Sequence, residues 1–426
     1  MELGLERIRT LLSRLGHPER DLAVIAVAGT DGKGSTSAMV TALLQAAGLR
    51  VGHYTSPHLV ETRERVRLAG GLVSADLLDA ALVQTQQAAE REPPLQPTPF
   101  EALTAAALLL FRDDHAQVAV LEVGLGGRLD ATNATEPVVS VITNLAYDHV
   151  AVLGDSLPQI AFEKAGIARE GRALVCAQPS LVKTALRKHG IAPRVLALGH
   201  DLSVVHYQLS GQPPRSTLAL RGPLLADDAI VELGMPGRHQ ADNAALAAMA
   251  YLAFAEWWLP MTGQSLAPLE DMLPALLDID WPLRAEVLST QPLIIADAAH
   301  NPSGMQAFAQ LLAERGRAWQ VVLAVRKDRD PEEVVRALAP VTQCFFLPRC
   351  AGETLRPASE LAAAIDRAAP SATYAVGSIH RCFSEAATEA ARGTGVAITG
   401  SQHALGEWLQ SGALHSPRLE RRLGRG

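Results

Sequence analysis

The sequence predicts an α/β protein: a P-loop-type, mostly parallel sheet domain with a small antiparallel insert, then a C-terminal Rossmann-like α/β domain. Three observations carry this. Short β-branched runs such as LAVIAVA, VAVLEVG and VVSVITN alternate with helical stretches, as expected of parallel strands buried on both faces. After about residue 195 the pattern changes to LSVVHYQL, STLALRG and DAIVELG, short strands separated by Gly-Pro turns. From residue 293 a second strand–helix series begins, with PLIIADA, WQVVLAV, CFFLP and GVAITG as strands.

The elements follow in order. Leu5, Ile8, Leu11, Leu12 and Leu15 recur at helical spacing within residues 3–15. A strand over 22–28 leads through a Gly-rich turn into a helix from about Ser35 to Ala47, stopped by Gly48. RVGHYTS is the next strand, SADLLDAALVQTQQAAEREP a helix opened by a Ser cap, and EALTAAALLLFRD an apolar, buried helix. Beyond the insert come an Ala-rich helix over about 241–257, the linker DIDWPLR, and helices near 302–315, 331–338 and 357–368. The domains expected are 1–281 and 282–426.

At 426 residues and 48% hydrophobic the chain has room for two or three domains and a sizeable core. A net charge of −7 speaks against nucleic acid, and the basic tail HSPRLERRLGRG reads as a solvated end. No apolar run approaches the ~18 residues of a membrane span. MELGLERIRT has no signal core. Cys176, Cys344, Cys350 and Cys382 form no C-x-x-C pair, which points to reduced thiols in a cytoplasm.

AGTDGKGST (28–36) lies between an apolar strand and a helix, the context of a phosphate loop, but it does not fit G-x-x-x-x-G-K-[ST]. Gly29, Gly32 and Gly34 allow backbone N–H groups to turn toward phosphate oxygens, Lys33 adds a charge, and Ser35 or Thr36 can face a metal. The alternative is a tight turn with a surface lysine. YTSPHL (54–59) sits where a second strand ends; Ser56 offers a hydroxyl, although a structural turn explains it as well. In LEVGLGGRLDATN, Glu122 stands in an apolar strand, where a carboxylate needs a metal, a cation or a buried ion-pair partner. Asp148 and His149 follow the next strand. Glu, His and a Ser hydroxyl around an open site suit Mg²⁺. Lys164 in IAFEKAGI reads from the residues alone as a snorkelling lysine. Gln240 and Asn243 begin a helix, where they cap it or hold a base or ribose. Arg284 opens the second domain, and Asp297, His300 and Asn301 close a strand in IADAAHNP. No G-x-S-x-G elbow supports a hydrolase.

In this order the stretches LGLERI, VAGTDGKGS, YTSPHL, ERVRL, TPFEALTAAA, EVGLGGRLDATN, DHVAVLGDSLPQIAFEKAGI, GRHQADNAALA, WPLRAEVL and DAAHNP resemble the folylpolyglutamate and bifunctional dihydrofolate synthases of the Mur ligase superfamily, over nearly the whole chain. The Mur-type loop reads G-T-x-G-K-x-[ST], and GTDGKGS (29–35) fits it, with Asp31 where Asn is usual. The resemblance implies a cytoplasmic, monomeric ligase. ATP phosphorylates a substrate carboxylate, and the α-amine of L-glutamate attacks the acyl phosphate. Thr30, Asp31, Gly32, Lys33, Gly34 and Ser35 would hold the phosphates. Asn243, Arg284 and Asp297 would contact ATP, with His300 assisting. Ser56, Glu122 and His149 would bind Mg²⁺, and Lys164, if carbamylated, would orient a second Mg²⁺. Lys33, Lys164 and His300 are the implied catalytic residues. Thr98, Phe100, Glu101, Ala146, Tyr147 and Asp148 line up with the pterin region for dihydropteroate or folate; Phe100 can stack on a flat heterocycle. The chain departs from the family at Leu283 and Ala298, where glycine is usual, and at Tyr147, where Leu is common. Two other readings stay open: a peptidoglycan-precursor ligase, and a P-loop NTPase that moves a partner without an amino-acid acceptor. Phosphate-facing residues in both domains favour a ligase that closes on its substrates.

Overall fold

The computed structural model describes residues 4–350, 354–391 and 393–424. Leu3, at the start of the first expected helix, and Arg425 and Gly426 of the tail lie outside the described residues. The chain forms two compact units: Met1–Tyr207, Leu218–Glu232 and Gln240–Ile279; and Gln208–Thr217, Leu233–His239 and Asp280–Gly426.

The first unit is built on an eight-stranded sheet. Its strands are β1 (Ala23–Ala28), β2 (Val51–Tyr54), β3 (Val66–Leu68), β4 (Gly71–Leu72), β5 (Val118–Glu122), β6 (Pro137–Ile142), β7 (Ala173–Cys176) and β8 (Arg194–Ala197). Their order is β4-β3-β2-β5-β1-β6-β7-β8. The run from β2 to β8 is parallel, and β3 and β4 add an antiparallel edge. β1, β5 and β6 are buried almost throughout, which is why they read as unbroken apolar runs rather than alternating ones. The register aligns Val27 with Glu122, Tyr54 with Leu121 and Ala28 with Ile142, so the strands from β2 to β6 finish at one edge.

Helix Pro99–Asp113 begins with a capping box: the Thr98 hydroxyl accepts from Glu101 N–H (3.2 Å) and the Glu101 carboxylate from Thr98 N–H (2.7 Å). Its apolar face packs with Ile8, Leu11 and Leu12 of the first helix. β9 (Ser203–Ser210), β10 (Arg215–Arg221) and β11 (Ala229–Leu233) form a three-stranded sheet in the order β11-β10-β9. The following helix, Arg238–Thr262, is longer than the sequence suggested. By length and composition it could cross a membrane, which corrects the expectation that no segment approaches that length. It buries Ala241, Ala244, Ala245, Ala248 and Phe254, as a core helix does.

The second unit carries β12 (Glu286–Thr290), β13 (Leu293–Ala296), β14 (Trp319–Leu323), β15 (Thr342–Pro348), β16 (Thr373–Gly377) and β17 (Gly395–Thr399), in the order β12-β13-β17-β14-β15-β16. Only β12 runs antiparallel.

The tail is not a solvated end. Pro417–Leu423 is helical, capped by Ser416, and Leu419, Arg422 and Leu423 are buried. The Glu286 carboxylate, itself buried, accepts from Ser416 Oγ (2.7 Å), Arg418 N–H (2.9 Å) and Leu283 N–H (3.0 Å). The Arg422 guanidinium lies 4.2 Å above the Trp281 ring. Composition alone could not show this, because the basic residues are held by an acid and an aromatic far away in sequence. Glu286→Ala, which orphans three donors, is expected to lower stability by about 3 kcal/mol, read from the urea midpoint.

Candidate active site

Four strand ends meet at the carboxyl edge of the first sheet, where open α/β sheets bind ligands. β1 runs into the turn 29–32, β2 into Ser56, β5 ends on Glu122, and β6 leads to Thr143 and Asn144. The turn 29–32 rests on the two residues after β6. Asn144 Oδ1 accepts from Thr30 N–H (3.1 Å) and Asp31 N–H (2.6 Å), and Thr143 Oγ1 donates to the Asp31 carbonyl (2.5 Å). Thr30 Oγ1 donates to the Ala146 carbonyl (3.0 Å). A Cβ on Gly29 would come within 1.8 Å of Thr143 Oγ1, and one on Gly32 (φ 78°) within 2.5 Å of Asn243 Oδ1. These two positions therefore admit only glycine. Gly34 differs from expectation: it is the second residue of helix Lys33–Ala46 and needs no special backbone angle. Asp31 is not an isolated charge, because Asn144 Nδ2 lies 3.3 Å from Asp31 Oδ2. Ser35 and Thr36 are buried, and among the described residues Thr36 Oγ1 has no hydrogen-bond partner.

Two lysines converge on one carbonyl of this turn. Lys33 Nζ donates to Gly29 O (3.2 Å) and Thr30 O (3.0 Å), while Lys164 Nζ donates to the same Gly29 O (2.7 Å). Lys164 is 4% exposed, so it does not snorkel. Burial, and next the Lys33 charge, pull its amine down to about 7; Asp148, Asp31 and Asp130 act in the opposite sense.

The GLGGRLDATN loop clamps the helix Leu157–Ala165 that carries Lys164. Arg128 N–H donates to the Glu163 carbonyl (2.8 Å), and Asn133 Nδ2 bridges the Arg128 (2.9 Å) and Gly166 (3.1 Å) carbonyls. Asp130, buried, accepts from Leu125 N–H (2.9 Å), Thr132 N–H (3.0 Å) and Thr132 Oγ1 (2.6 Å); burial pushes its carboxyl up. The sequence gives no particular role to Thr143, Asn144, Asp130 or Asn133, although all four sit inside the motifs around Glu122 and Asp148; their partners are revealed only by folding.

Glu122 is 5% exposed, and its Oε2 accepts from Ser56 N–H (3.1 Å). The structure therefore joins two of the three expected metal ligands. His149 takes a left-handed backbone (φ 50°) and is half exposed, with Nε2 3.8 Å from Asp148 Oδ1. No group of three or more His, Cys, Asp or Glu is arranged for a metal among the described residues. The expected set holds only two such residues, the rest being hydroxyl, and Ser and Glu oxygens are hard donors of the kind Mg²⁺ takes.

Asn243 is buried, donates to Gln240 Oε1 (3.0 Å) and abuts Gly32. Phe100 lies against Gly124 and tilts toward Tyr54, with ring centroids 5.9 Å apart. Thr98 and Glu101 are engaged in the helix start, and Arg7 Nε pairs with Glu101 (2.8 Å). Tyr147 is 56% exposed, whereas its neighbour Asp148 is buried.

In the second unit Asp297 is a turn holder: its two oxygens accept from Ala285 N–H and Ala299 N–H, both 2.7 Å. Leu283 (φ 53°) and Ala285 (φ 48°) are left-handed on either side of Arg284, a backbone in which glycine would be easier. The Leu283 side chain is fully buried there, and its carbonyl accepts from Ala298 N–H (2.9 Å). Arg284 is partly exposed and has no partner among the described residues. His300 Nδ1 is 3.0 Å from the Ala298 carbonyl, and Asn301 caps helix Pro302–Glu314.

A strand-turn-helix with paired lysines is a ligase arrangement as much as an NTPase one, and comparison decides between them. Residues 27–251 match the Mur ligase middle domain, and residues 283–402 match the Mur ligase glutamate ligase domain. The chain belongs to the Mur ligase family. Within it, similar proteins include folate enzymes. The dihydrofolate synthase/folylpolyglutamate synthase of Bacillus subtilis is 33% identical over 84% of this chain and 85% of its own length. The structure of Mycobacterium tuberculosis folylpolyglutamate synthase complexed with ADP superposes with a TM-score of 0.85 at 29% identity, covering 96% of this chain and 94% of that one. A bifunctional folylpolyglutamate synthase/dihydrofolate synthase from Yersinia pestis, complexed with AMPPNP and Mn, gives 0.81 at 28% identity, covering 97% and 94%. The folate branch, rather than a peptidoglycan ligase or a partner-moving NTPase, is where this chain sits.

Two outcomes are expected. Gly29→Ala lowers stability by about 2 kcal/mol or more, since its Cβ cannot fit, as read by thermal unfolding. Lys164 gives the free protein a pH-dependent stability. Its amine titrates near 7 when folded and near the ordinary 10.5 when unfolded. Between those values the unfolded chain binds the extra proton, so stability rises with pH, by a few kcal/mol in all. Lys164→Met removes that rise in denaturation curves collected from pH 6 to 10.

Proposed function

We propose that this protein is an ATP-dependent carboxylate–amine ligase that joins L-glutamate to dihydropteroate, to folates, or to both. The observation that carries the reading is the convergence of Lys33 and Lys164 on the Gly29 carbonyl, beside the paired Ser56 and Glu122 at the sheet edge.

The chemistry follows in two transfers. An oxygen of the acceptor carboxylate attacks the γ-phosphorus of ATP, forming an acyl phosphate and releasing ADP. The neutral α-amine of glutamate then attacks the acyl carbon, loses a proton, and the tetrahedral intermediate expels phosphate to leave an amide. Positioning and charge neutralisation dominate such transfers. The start of helix Lys33–Ala46 would offer its N–H groups to the phosphates, and Lys33 adds a cation, while the Thr30 and Asp31 N–H groups stay on Asn144 and shape the turn. Thr30, Asp31, Gly34 and Ser35 complete this loop, with Asn144 holding Asp31 in place. Ser56 and Glu122, with His149, are the residues that would hold Mg²⁺, which when bound offsets phosphate charge. A neutral Lys164 amine can take up CO₂ as a carbamate with release of a proton, turning a cation into an anionic acceptor for a second Mg²⁺. Asn243, against Gly32, faces the nucleotide.

We assign the first unit to ATP binding and the second to completing the ATP and glutamate site, with Arg284 and His300 as its contributions. Asp297 acts there by shaping the turn that presents Arg284. Phe100 and the segment 146–148 contact the pterin; Thr98 and Glu101 serve by fixing the start of helix Pro99–Asp113, which carries Phe100. Free Cys176, Cys344, Cys350 and Cys382 accord with a reducing cytoplasm, and a monomer acting on small molecules, without nucleic acid or membrane, completes the reading.

The test is product mass with ATP, Mg²⁺ and L-glutamate, using dihydropteroate and tetrahydrofolate in parallel. Product from both acceptors shows one site serving both steps, and product from one names the enzyme. ATP hydrolysis without product overturns the reading in favour of another acceptor. Lys33→Ala is expected to lower turnover by about three orders of magnitude with the fold retained in circular dichroism. Lys164→Ala is expected to be nearly inactive and partly restored by short carboxylic acids; full activity without them removes the carbamate from the scheme.

A further inference from the structure

Between the paired edges of β2 and β3 the chain makes an excursion, residues 56–64, whose ends are closed. Tyr54 pairs with Val66, and Thr55 N–H donates to the Arg65 carbonyl (2.9 Å). Compact loops with joined ends are packed by their own side chains and are often functional. This one is packed by an acid. Glu64 is 4% exposed, and its carboxylate accepts three successive backbone N–H groups: Leu59 at 3.1 Å, Val60 at 2.7 Å and Glu61 at 2.6 Å. The next residue fixes the other half of the loop, since Arg65 Nε donates to His58 Nδ1 (3.0 Å), leaving the His58 proton on Nε2. At its start, Ser56 N–H is bonded to Glu122.

We propose that Glu64 is the positioning residue that holds Ser56 beside Glu122 and so sets the affinity for the divalent cation that accompanies ATP. The inference rests on the ligase reading. Glu64 is not assigned to phosphate or cation, because its carboxylate is engaged by the three amides. It acts by gathering three amides on one carboxylate, which fixes where the loop leaves β2 and therefore where the Ser56 hydroxyl stands. Without it the three donors seek water, and the loop samples other paths. Residues one step removed from a metal typically change its affinity about 10- to 100-fold when lost.

The experiment measures Mn²⁺ affinity by electron paramagnetic resonance on the full chain with AMPPNP, alongside the Mg²⁺ dependence of product formation. Glu64→Ala is expected to weaken Mn²⁺ binding about tenfold or more and to raise the half-saturating Mg²⁺ in step, with the KM for glutamate little changed. Glu64→Gln is expected to fall between, because an amide oxygen can accept from Val60 and Glu61 while its NH₂ opposes the Leu59 N–H; it carries the test if the alanine variant does not fold. Leu361→Ala, a core cavity in the other unit, supplies a comparable loss of stability, and it is expected to leave Mn²⁺ affinity unchanged. Unaltered Mn²⁺ affinity in folded Glu64 variants overturns the inference, as does an equal loss in Leu361→Ala. Wild-type protein that binds Mn²⁺ and AMPPNP but forms no glutamate product overturns the ligase reading instead, and the Mn²⁺ comparison still decides the role of Glu64.

Discussion

One carbonyl organises the first unit. Gly29 O accepts from both Lys33 and Lys164, and the same residue is pressed so closely against Thr143 that a single methyl group would collide. Two amines on one acceptor cannot both carry a full charge cheaply in a buried place. The buried one yields its proton more readily, and its pKa falls to about 7. The turn 29–32, the Lys164 helix and the turn after β6 therefore depend on one another. The loop supplies the acceptor, the helix an amine that gives up its proton more readily than usual, and Thr143 and Asn144 fix the turn that holds both.

Carboxylates do most of the remaining structural work, each by collecting backbone donors. Asp130 folds the glycine loop, Glu64 the excursion after β2, Asp297 the turn around Arg284, and Glu286 the last helix. A carboxylate can accept several N–H groups at once, and such charge-assisted bonds are stronger than neutral ones. This lets irregular loops, which the sheet cannot order, stand still at its edge. The left-handed Leu283 and Ala285 show the same economy. Their strain is tolerated because Asp297 and Glu286 hold the turn and Leu283 is buried.

Much of this was legible beforehand. Continuous apolar runs announced β1, β5 and β6, because strands buried on both faces need no polar alternation. Helix Pro331–Leu338 was expected at the place where it stands, since its acidic start and apolar stripe are local signals. Weaker elements escaped. β3 and β4 are edge strands of three and two residues, too short for a periodic signal, and β7 and β8 were not expected either. Gly34 and the C-terminal tail depart from expectation in opposite ways: Gly34 is helical rather than a special turn residue, and the tail is docked rather than solvated.

By itself the sequence determined which residue types are available: glycines where the backbone needs positive φ, a lysine after Gly32, an acid at the end of an apolar strand, and the ordered motifs that mark the family. Those are short-range facts, written within a few residues of one another. Only the tertiary structure decided that Lys33 and Lys164, far apart in the chain, share an acceptor, and that Asn144 restrains Asp31. It also decided that Thr98 and Glu101 serve their own helix and that Glu64 gathers the loop after β2. Each depends on which strand ends the sheet order places side by side and on how deeply a charge is buried, and neither quantity exists until the chain has folded.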